Sequence, residues 1–361
     1  MKRTPTLAAL AAVAGTAAIT LAGCSSSTTA GSSSSTATST PTATTALTVR
    51  TVFSGKTQGW TQPDDLAAVG SHLFVAFQNG VDSKGGTAGK PLNSTLVEFE
   101  LNGTIDHSWP ITGKIDGLGA DSANSRVVAT VNEDGNSSLY TIGLDGTVKH
   151  YTYSQNPLPH GGGTDSVVAE GGALYISASA PSGSTGPAVF KVTLSGSTAQ
   201  IASPAPFNIN SAATAIGSGK QTTLALTDPD SSTMVPGSVP VVGGEFMLNS
   251  QGDDQLIFDK LGQSGAPQVL SIKQSVDDVA FPTATGGTLL SADAKTDSVD
   301  AITGTFTANA AYTAVTPGNA NNAPANAAPN YFGTIDLATG DVTAVKTQGV
   351  KLTPHSLIYL P

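Results

Sequence analysis

Short runs in which large apolar residues alternate with small or polar ones follow one another along most of the chain. This two-residue period is typical of strands that bury one face, and each run ends near Gly, Asp, Asn or Ser. No stretch combines a helix start, a helical period and a glycine stop. The pattern therefore predicts an all-β protein. The clearest runs are 73–77, 127–131, 173–177, 223–227, 246–248 and 288–291.

Tight turns separate many neighbouring runs. Asn102-Gly103 and Asp145-Gly146 are residue pairs that favour the left-handed conformations of hairpin turns. Comparable turns occupy 194–197 and 337–341, also between strand-like runs. Successive strands are therefore predicted to pair antiparallel.

The order of these features repeats along the body of the chain. Each repeat opens with a short segment, followed by a turn, a strong strand, a polar loop, a second strand, a tight turn and a last strand. The openings are 62–67, 114–119, 163–168, 210–215 and 275–280. The first three are roughly 50 residues apart, which is the length of one four-stranded blade of a β-propeller. We therefore predict a single β-propeller of about six or seven four-stranded blades.

The two ends of the body are predicted to close the ring. Residues 47–52 are interpreted as an outer strand that completes a blade begun at the C-terminus, so that no sheet edge is left free. A β-sandwich, or two sandwiches, is the alternative architecture.

Composition limits the class of protein. Of 361 residues only 12% are charged, 39% are hydrophobic, and the net charge is -10. Nucleic acid is excluded as a partner because its binding depends on clustered Lys and Arg. A single cysteine excludes a disulfide scaffold and a cysteine-based zinc site.

The N-terminus has the features of an export signal. Lys2 and Arg3 precede an apolar run at 7–22 that is short for a membrane span. The run ends in Leu21-Ala22-Gly23-Cys24, which resembles the lipobox of bacterial lipoprotein signals. The resemblance implies that Cys24 carries the lipid (palmitate) and begins the mature protein. An uncleaved signal-anchor with an incidental cysteine is the alternative.

These features predict three parts of the chain. Residues 1–23 are a lipoprotein signal peptide, 24–46 a Ser/Thr-rich flexible tether, and 47–361 the β-propeller domain. The predicted location is extracytoplasmic, with the lipid anchor on the bacterial cell membrane as the point of attachment. The protein is expected to be a monomer.

The body resembles, in pattern, β-propellers of the broad NHL, SMP-30-like and quinoprotein-like group, and bacterial lipoproteins of that shape. The resemblance implies a fold and not a function, because no catalytic motif of a known activity matches residue by residue. Neither Gly-Xaa-Ser-Xaa-Gly nor His-Glu-Xaa-Xaa-His occurs in the chain.

Aspartates recur where the predicted blades open, and His355 has the equivalent position in the tail. The innermost strand of a blade begins at one mouth of the central channel, so these side chains are expected to converge there. Several converging carboxylates cannot all stay ionised without a cation, and a set of oxygen ligands favours Ca²⁺ or Mg²⁺. The predicted metal ligands are Asp65, Asp116, Asp165 and Asp278, with Asp277 as the alternative to Asp278. Alternatively, each aspartate binds backbone amides of the neighbouring blade.

Two Pro-His pairs add candidate chemistry. His160 and His355 are candidates for a general base or a ligand at the channel mouth. A second acidic set at 132–136, 228–231, 251–254 and 293–297 is interpreted as turns between strands. The segment 316–329 is predicted to be a long loop that overhangs a channel mouth.

The function predicted from these features is a binding or interaction module in the cell envelope. The channel mouth would hold a divalent cation or a small polar ligand, and an envelope protein is a further possible partner. The alternative is an enzyme, a metal-dependent lactonase or lyase that uses the same carboxylates as ligands and His160 or His355 as the base.

Overall fold

The computed structural model of the protein describes residues 46–86 and 92–361. Within these ranges nearly all regular structure is β, which confirms the all-β prediction, and the helical segments are two short 3₁₀ turns, Gly55–Gln58 and Ser122–Asn124. Among these residues, none of the helices has the length and apolar character needed to cross a membrane. The predicted signal peptide, Cys24 and the tether lie outside the described residues.

The strands are short and follow one another through tight turns. The strands of the first half are β1 Leu47–Ser54, β2 Pro63–Val69, β3 His72–Phe77, β4 Asn93–Phe99, β5 Ile105–Thr112, β6 Ile115–Asp121, β7 Arg126–Val131, β8 Ser138–Gly143, β9 Val148–Tyr153, β10 Val167–Glu170, β11 Ala173–Ser177, β12 Val189–Ser195 and β13 Thr198–Ile201. The strands of the second half are β14 Ala212–Ala215, β15 Gln221–Thr223, β16 Pro229–Met234, β17 Phe246–Ser250, β18 Gln255–Asp259, β19 Gln268–Ser271, β20 Val276–Ala280, β21 Thr288–Asp293, β22 Ser298–Thr303, β23 Ala311–Val315, β24 Tyr331–Ile335, β25 Val342–Ala344, β26 Thr347–Gly349 and β27 Leu357–Leu360.

Antiparallel meanders are arranged around a central channel. Within five sheets, the antiparallel orders are β2-β3-β4-β5, β6-β7-β8-β9, β10-β11-β12-β13, β16-β17-β18-β19, β20-β23-β24-β25 and β27-β21-β22-β1. The parallel pair β9–β13 joins two of these orders, and the parallel pairs β14–β19 and β1–β26 extend two others. The first strand of each order contacts the first strand of the next, and β27 contacts both β20 and β2. This cyclic arrangement of sheets is that of a β-propeller body. We call β2, β6, β10, β16, β20 and β27 the inner strands.

The last two meanders are interleaved, contrary to the sequence prediction. The run at 288–291 was expected to follow β20 in the same sheet, yet β21 pairs with β22 and with β27. β23, which comes later in the chain, takes the place beside β20. The two-residue period identifies a strand but does not specify its partner, which depends on long-range packing.

The predicted opening at 210–215 is also wrong. β14 pairs with β15 in a hairpin and lies parallel to β19 at the outer edge of a sheet. The strand predicted at 223–227 is limited to β15, which ends at Thr223. The inner strand of this meander is instead β16, within the acidic segment that was interpreted as a turn.

Apolar side chains fill the space between neighbouring sheets. Phe53 of β1 packs on Phe77 and Phe99, and the Phe53–Phe99 ring centroids are 4.9 Å apart. The same cluster contains Leu290 and Val299 from the sheet that closes the ring. This packing joins the sheet that closes the ring to the sheet of β2–β5.

Candidate functional site

Each inner strand has an irregularity at the end where it enters the channel. In β6, one extra residue, Asp116, lies between the pairs Ile115–Val131 and Gly117–Thr130. β2, β16 and β20 have comparable register shifts at 63–66, 229–232 and 276–279. A β-bulge of this kind interrupts the alternation of side chains between the two faces of a strand, so the side chains of two consecutive residues are directed to the same side.

The same irregularity precedes β10 and β27. Asp165 N donates to Ser177 O while Ser177 N donates to Ser166 O, so two residues face one partner. In the same way, His355 N donates to Ala292 O, and Ala292 N donates to Ser356 O. Every inner strand therefore presents a consecutive pair of residues at the same end of the channel.

The first members of these pairs form an acidic ring that lines one cavity. We call them the first ring, and they are Asp64, Asp116, Asp165, Asp230, Asp277 and His355. The second members, which we call the second ring, are Asp65, Gly117, Ser166, Ser231, Asp278 and Ser356. Except for Gly117, all of them line the same cavity, whose volume is about 240 Å³.

The two aspartates of the second ring bind the backbone of neighbouring strands. Asp65 accepts hydrogen bonds from Leu118 N at 2.6 Å and from Ser356 Oγ at 2.8 Å. Asp278 accepts from Leu357 N at 2.8 Å and from the same Ser356 hydroxyl at 3.1 Å. These bonds join adjacent inner strands, as the alternative reading of the repeated aspartates expects.

Gly117 has its place in the second ring because the next inner strand approaches it closely. A Cβ at this position would lie 2.5 Å from Asp165 O and 2.6 Å from Ser166 Cα. We expect Gly117→Ala to lower the free energy of unfolding by about 1–3 kcal/mol, measured by denaturant titration. Gly183→Ala is the matched control, because a Cβ there meets nothing within 4 Å. Equal effects of the two substitutions would contradict the close approach.

Lys114 compensates one side of the first ring. Its Nζ lies 2.7 Å from Asp116 Oδ1 and also pairs with Glu133, and its side chain is only 17% exposed. Burial opposes the charged form, but Asp116, Asp64 and Glu133 outweigh it and raise the pKa of Lys114 above its ordinary value. Lys114 is therefore a fixed positive charge within the acidic ring.

Asp116 is only partly satisfied by these contacts. Its Oδ1 accepts from Lys114 and from Gln78 Nε2 at 3.1 Å. Its Oδ2 has no hydrogen-bond partner among the described residues, although the side chain is 3% exposed. Burial raises the pKa of this carboxyl well above its ordinary value. A buried acceptor without a donor is rare and unfavourable, so Oδ2 marks a position where a ligand group can bind.

His355 and Asp277 form an ion pair on the other side of the ring. Nδ1 of His355 lies 2.9 Å from Asp277 Oδ2, and Gln251 Nε2 donates to Asp277 Oδ1 at 2.9 Å. Burial works against the imidazolium, but the bond to Asp277 outweighs it and raises the pKa of His355 to about 9. The imidazole is therefore protonated at neutral pH.

Asp165 and Asp230 lie side by side on adjacent inner strands. Ser166, the residue after Asp165, donates through Oγ to Asp230 O at 2.7 Å. Burial, with the neighbouring charges of Asp165 and Asp277, raises the pKa of Asp230 well above its ordinary value. Burial, with the nearby charge of Asp116, raises the pKa of Asp165 in the same direction. Two neighbouring carboxyl groups do not both ionise readily when no cation lies between them, so the pair retains a proton.

Burial also raises the pKa values of Asp64 and Asp278. It raises the pKa of Asp64 to about 7, although Lys114 and His355 partly offset it. Burial raises the pKa of Asp278 to about 6, with the donors Leu357 N and Val279 N acting in the opposite direction. The mouth is therefore an acidic site that holds protons at a pH where an exposed aspartate is ionised.

The channel extends beyond the acidic cavity. A second cavity of about 510 Å³ is lined by side chains such as Leu66, Met234 and Phe281, and it shares Asp65 and Asp278 with the first. At the acidic end, the loop after β23 lies over the opening, as the sequence predicted. Asn319 of this loop lines the cavity and donates to Gln251 Oε1 at 3.1 Å.

The four predicted metal ligands line one cavity but do not form one cluster. Asp65 and Asp278 bind backbone amides, Asp116 pairs with Lys114, and Asp165 makes no ion pair with a basic side chain of the described residues. Within residues 46–86 and 92–361, no three His, Cys, Asp or Glu side chains are arranged to hold a metal ion. The arrangement described here does not fit a bound Ca²⁺ or Mg²⁺, and the metal site stays a prediction.

The two candidate histidines have different surroundings. His355 lines the acidic cavity, whereas His160 is not among the residues that line it. His160 is 2% exposed, its Nε2 lies 2.9 Å from Ser179 O, and burial lowers the pKa of its imidazole. It also packs edge-on against Phe190, which indicates a structural role.

Sequence reasoning missed Asp64 and Asp230 as members of the first ring, and also missed Lys114. It offered Asp277 only as the alternative to Asp278, whereas both line the cavity. A signal was present, because Pro63-Asp64, Pro229-Asp230 and Pro354-His355 share the order of proline and polar residue. The position after each of these is Asp or Ser. Aligning on this pair would have found Asp230 and separated the two rings.

Comparisons with known proteins give a likeness in chain path only. No family model matches the sequence, and no curated protein matches it. A protein of unknown function from Bacteroides caccae is 12% identical with a TM-score of 0.47, covering 84% of this chain and 88% of that chain. The periplasmic gluconolactonase of Pseudomonas aeruginosa is 14% identical with a TM-score of 0.44 (83% and 88%). Virginiamycin B lyase from Staphylococcus aureus is 12% identical with a TM-score of 0.43 (86% and 77%).

Proposed function

We propose that this protein is a lipid-anchored, extracytoplasmic binding module whose channel mouth binds a small positively charged ligand. The observation that carries the proposal is that Asp116 lines the acidic cavity and that its buried Oδ2 has no hydrogen-bond partner among the described residues. A positively charged donor would satisfy this oxygen and reduce the repulsion among the surrounding carboxylates.

The architecture proposed for this module is a six-bladed propeller. Its support is the cyclic contact of the inner strands, each of which begins one four-stranded meander. In the meander of β27 the outer strand is β1, so the proposed ring is closed by strands from both ends of the domain. Closure of this kind leaves the consecutive residue pairs of all inner strands, which form the two rings, at one mouth of the channel.

The proposed location depends on the sequence alone. Lipidation of Cys24 would attach the protein to the membrane, and residues 24–46 would serve as its tether. A monomer is sufficient for the function, because every residue of the two rings belongs to one chain. Beyond the small ligand, an envelope protein remains a proposed partner.

The shape of the mouth indicates the size of the ligand. Its volume of about 240 Å³ is several times the volume per molecule of liquid water, which is about 30 Å³. The excess of carboxyl groups over Lys114 and His355 disfavours anions. A small organic cation or a hydrated metal ion fits both properties.

Thermal unfolding of the purified full chain at about pH 7 tests the proposal. A ligand that binds only the folded state raises the melting temperature. We expect at least one of calcium chloride, magnesium chloride or 1,4-diaminobutane to raise it, relative to sodium chloride at equal ionic strength.

The matched variants are Asp116→Asn in the ring and Asp106→Asn on the exposed face of β5. Asp106→Asn is expected to keep the shift and Asp116→Asn to reduce it. If no cation stabilises the wild-type protein, or if both variants respond as the wild type does, the proposed function is wrong.

An enzyme is the second candidate function, and the His355–Asp277 pair favours it. A histidine oriented by a carboxylate is a common arrangement in acid–base catalysis, and Gln251 fixes the carboxylate in turn. However, His355 is protonated at neutral pH and so acts as an acid rather than as the predicted base. Lactone hydrolysis by the wild type that is lost in His355→Gln would support this candidate over binding alone.

A further inference from the structure

Charge compensation around the first ring is uneven. Asp116 pairs with Lys114, and Asp277 pairs with His355. Asp165 and Asp230 lie between these two sectors, just before β10 and at the start of β16, because the inner strands follow one another in that order. No basic side chain among the described residues forms an ion pair with either of them. This sector therefore has two carboxyl groups and no cation.

The two carboxyl groups are arranged as a site rather than as separate surface charges. Asp165 is 8% exposed, the next residue, Ser166, donates through Oγ to Asp230 O at 2.7 Å, and both aspartates line the acidic cavity. Asp230 Oδ2 is buried and has no hydrogen-bond partner in the described part of the chain. Asp116, the neighbour of Asp165 in the ring, also has an unpartnered buried oxygen. Two residues that line the same cavity, Asp116 and Asp230, thus each have a buried oxygen without a donor among the described residues.

Lys114 illustrates which cation the ring accommodates. Its ammonium group contacts two carboxylates, Asp116 at 2.7 Å and Glu133, from a position inside the mouth. An ammonium has three N–H donors, so it bridges carboxylates that are too far apart to ligate one metal ion. Calcium requires six to eight oxygen ligands at about 2.3–2.6 Å, and no three acidic or imidazole groups among the described residues converge in that way.

We propose that the ligand is a primary amine, and that its ammonium group binds between Asp165 and Asp230. This inference rests on the proposed binding of a cation at the mouth and names its chemical class. The ammonium takes the place of the proton that the pair of carboxyl groups retains, and that proton leaves to the solvent. One positive charge enters and one leaves, so the charge of the sector is unchanged on binding.

The N–H donors, and not only the charge, are required in this arrangement. Butylammonium and butyltrimethylammonium have the same charge and the same chain, but the quaternary ion has no N–H group. Hydrogen bonds to charged groups contribute about 1.5–3 kcal/mol each. The primary amine is therefore expected to bind at least about tenfold more tightly than the quaternary ion.

Calorimetric titration of the full chain at about pH 7 tests this, with butylamine, butyltrimethylammonium and calcium chloride at constant ionic strength. In buffers of different ionisation enthalpy, butylamine binding is expected to release close to one proton per site. Asp230→Asn and Asp165→Asn are each expected to weaken butylamine binding at least about tenfold. Asp106→Asn, in an exposed part of β5, is the matched control and is expected to bind as the wild type does.

The comparison of the ligands uses the wild-type protein, so it stays decisive if a ring variant fails to fold. If calcium binds while butylammonium does not, or if the primary and quaternary ions bind equally, the amine proposal is overturned and the cation-binding function stands. If none of the three cations binds, both are overturned. Tight binding of butylammonium that is unaffected in both ring variants would also overturn the assignment to Asp165 and Asp230.

Discussion

Lys114→Met is expected to lower the free energy of unfolding by about 3–5 kcal/mol at neutral pH. The substitution keeps the length of the side chain but removes the positive charge next to Asp116 and Glu133. Asp116 is almost fully buried, so water does not replace the lost partner. Removing one member of a buried ion pair leaves the other charge uncompensated, which is among the largest effects of a single substitution.

Denaturant titration at two pH values checks this expectation. The loss is expected to shrink at about pH 4, because protonation of the carboxyl groups removes the need for a counter-charge. Lys273→Met is the matched control, since Lys273 pairs with Asp341 at 3.6 Å where both side chains are more than 60% exposed. An exposed pair contributes at most about 1 kcal/mol. Similar losses in the two variants would show that Lys114 is not a buried counter-charge.

Without a bound cation, the protein is expected to lose stability as the pH rises from about 4 to about 9. The pKa of Asp64 is raised from 3.8 to about 7, and those of Asp228 and Asp278 to about 6. Between these values and 3.8, the folded protein holds protons that the unfolded chain has released. Stability therefore falls as pH rises through this range, by several kcal/mol in order of magnitude.

His355 extends the same trend to higher pH. Its pKa is raised from 6.5 to about 9, so the stability from the charged imidazole is present below 6.5 and lost as the pH rises through 9. Melting temperatures measured from about pH 4 to about pH 9 check the contribution of the carboxyl groups and that of His355. Asp64→Asn is expected to flatten the acidic part of the curve, and Asp106→Asn to leave it unchanged. A melting temperature that rises between about pH 5 and 7 would contradict the raised carboxyl pKa values.

The fold class could be predicted from local pattern, whereas strand partners could not. The period of two and the Gly-containing turns identified an all-β, propeller-like chain. The pairing of β20 with β23, across the intervening β21–β22 pair, could not be predicted in this way. A strand pattern shows which face of a strand is buried but not which strand lies next to it. β16 was missed because its sequence, Pro229–Met234, is polar and begins with proline.

The candidate site could be predicted in kind but not in detail. Repeated aspartates at blade openings indicated an acidic channel mouth, and the structure brings Asp65, Asp116, Asp165, Asp278 and His355 to one cavity. The β-bulges were not predictable, because they depend on the register of two paired strands. Without them, Asp64 and Asp65 would point in opposite directions, and the division into two rings would not exist.

Infrared spectroscopy of the wild-type protein at about pH 7 tests most directly whether the mouth holds excess carboxyl groups that a cation neutralises. In the cation-free protein we expect the carbonyl absorption of protonated carboxylic acids, which solvent-exposed aspartates do not show at this pH. Saturation with a cation that raises the melting temperature is expected to reduce this absorption as protons are released. Absence of the absorption in the cation-free protein, or an absorption unchanged at saturation, would contradict cation binding at the acidic mouth.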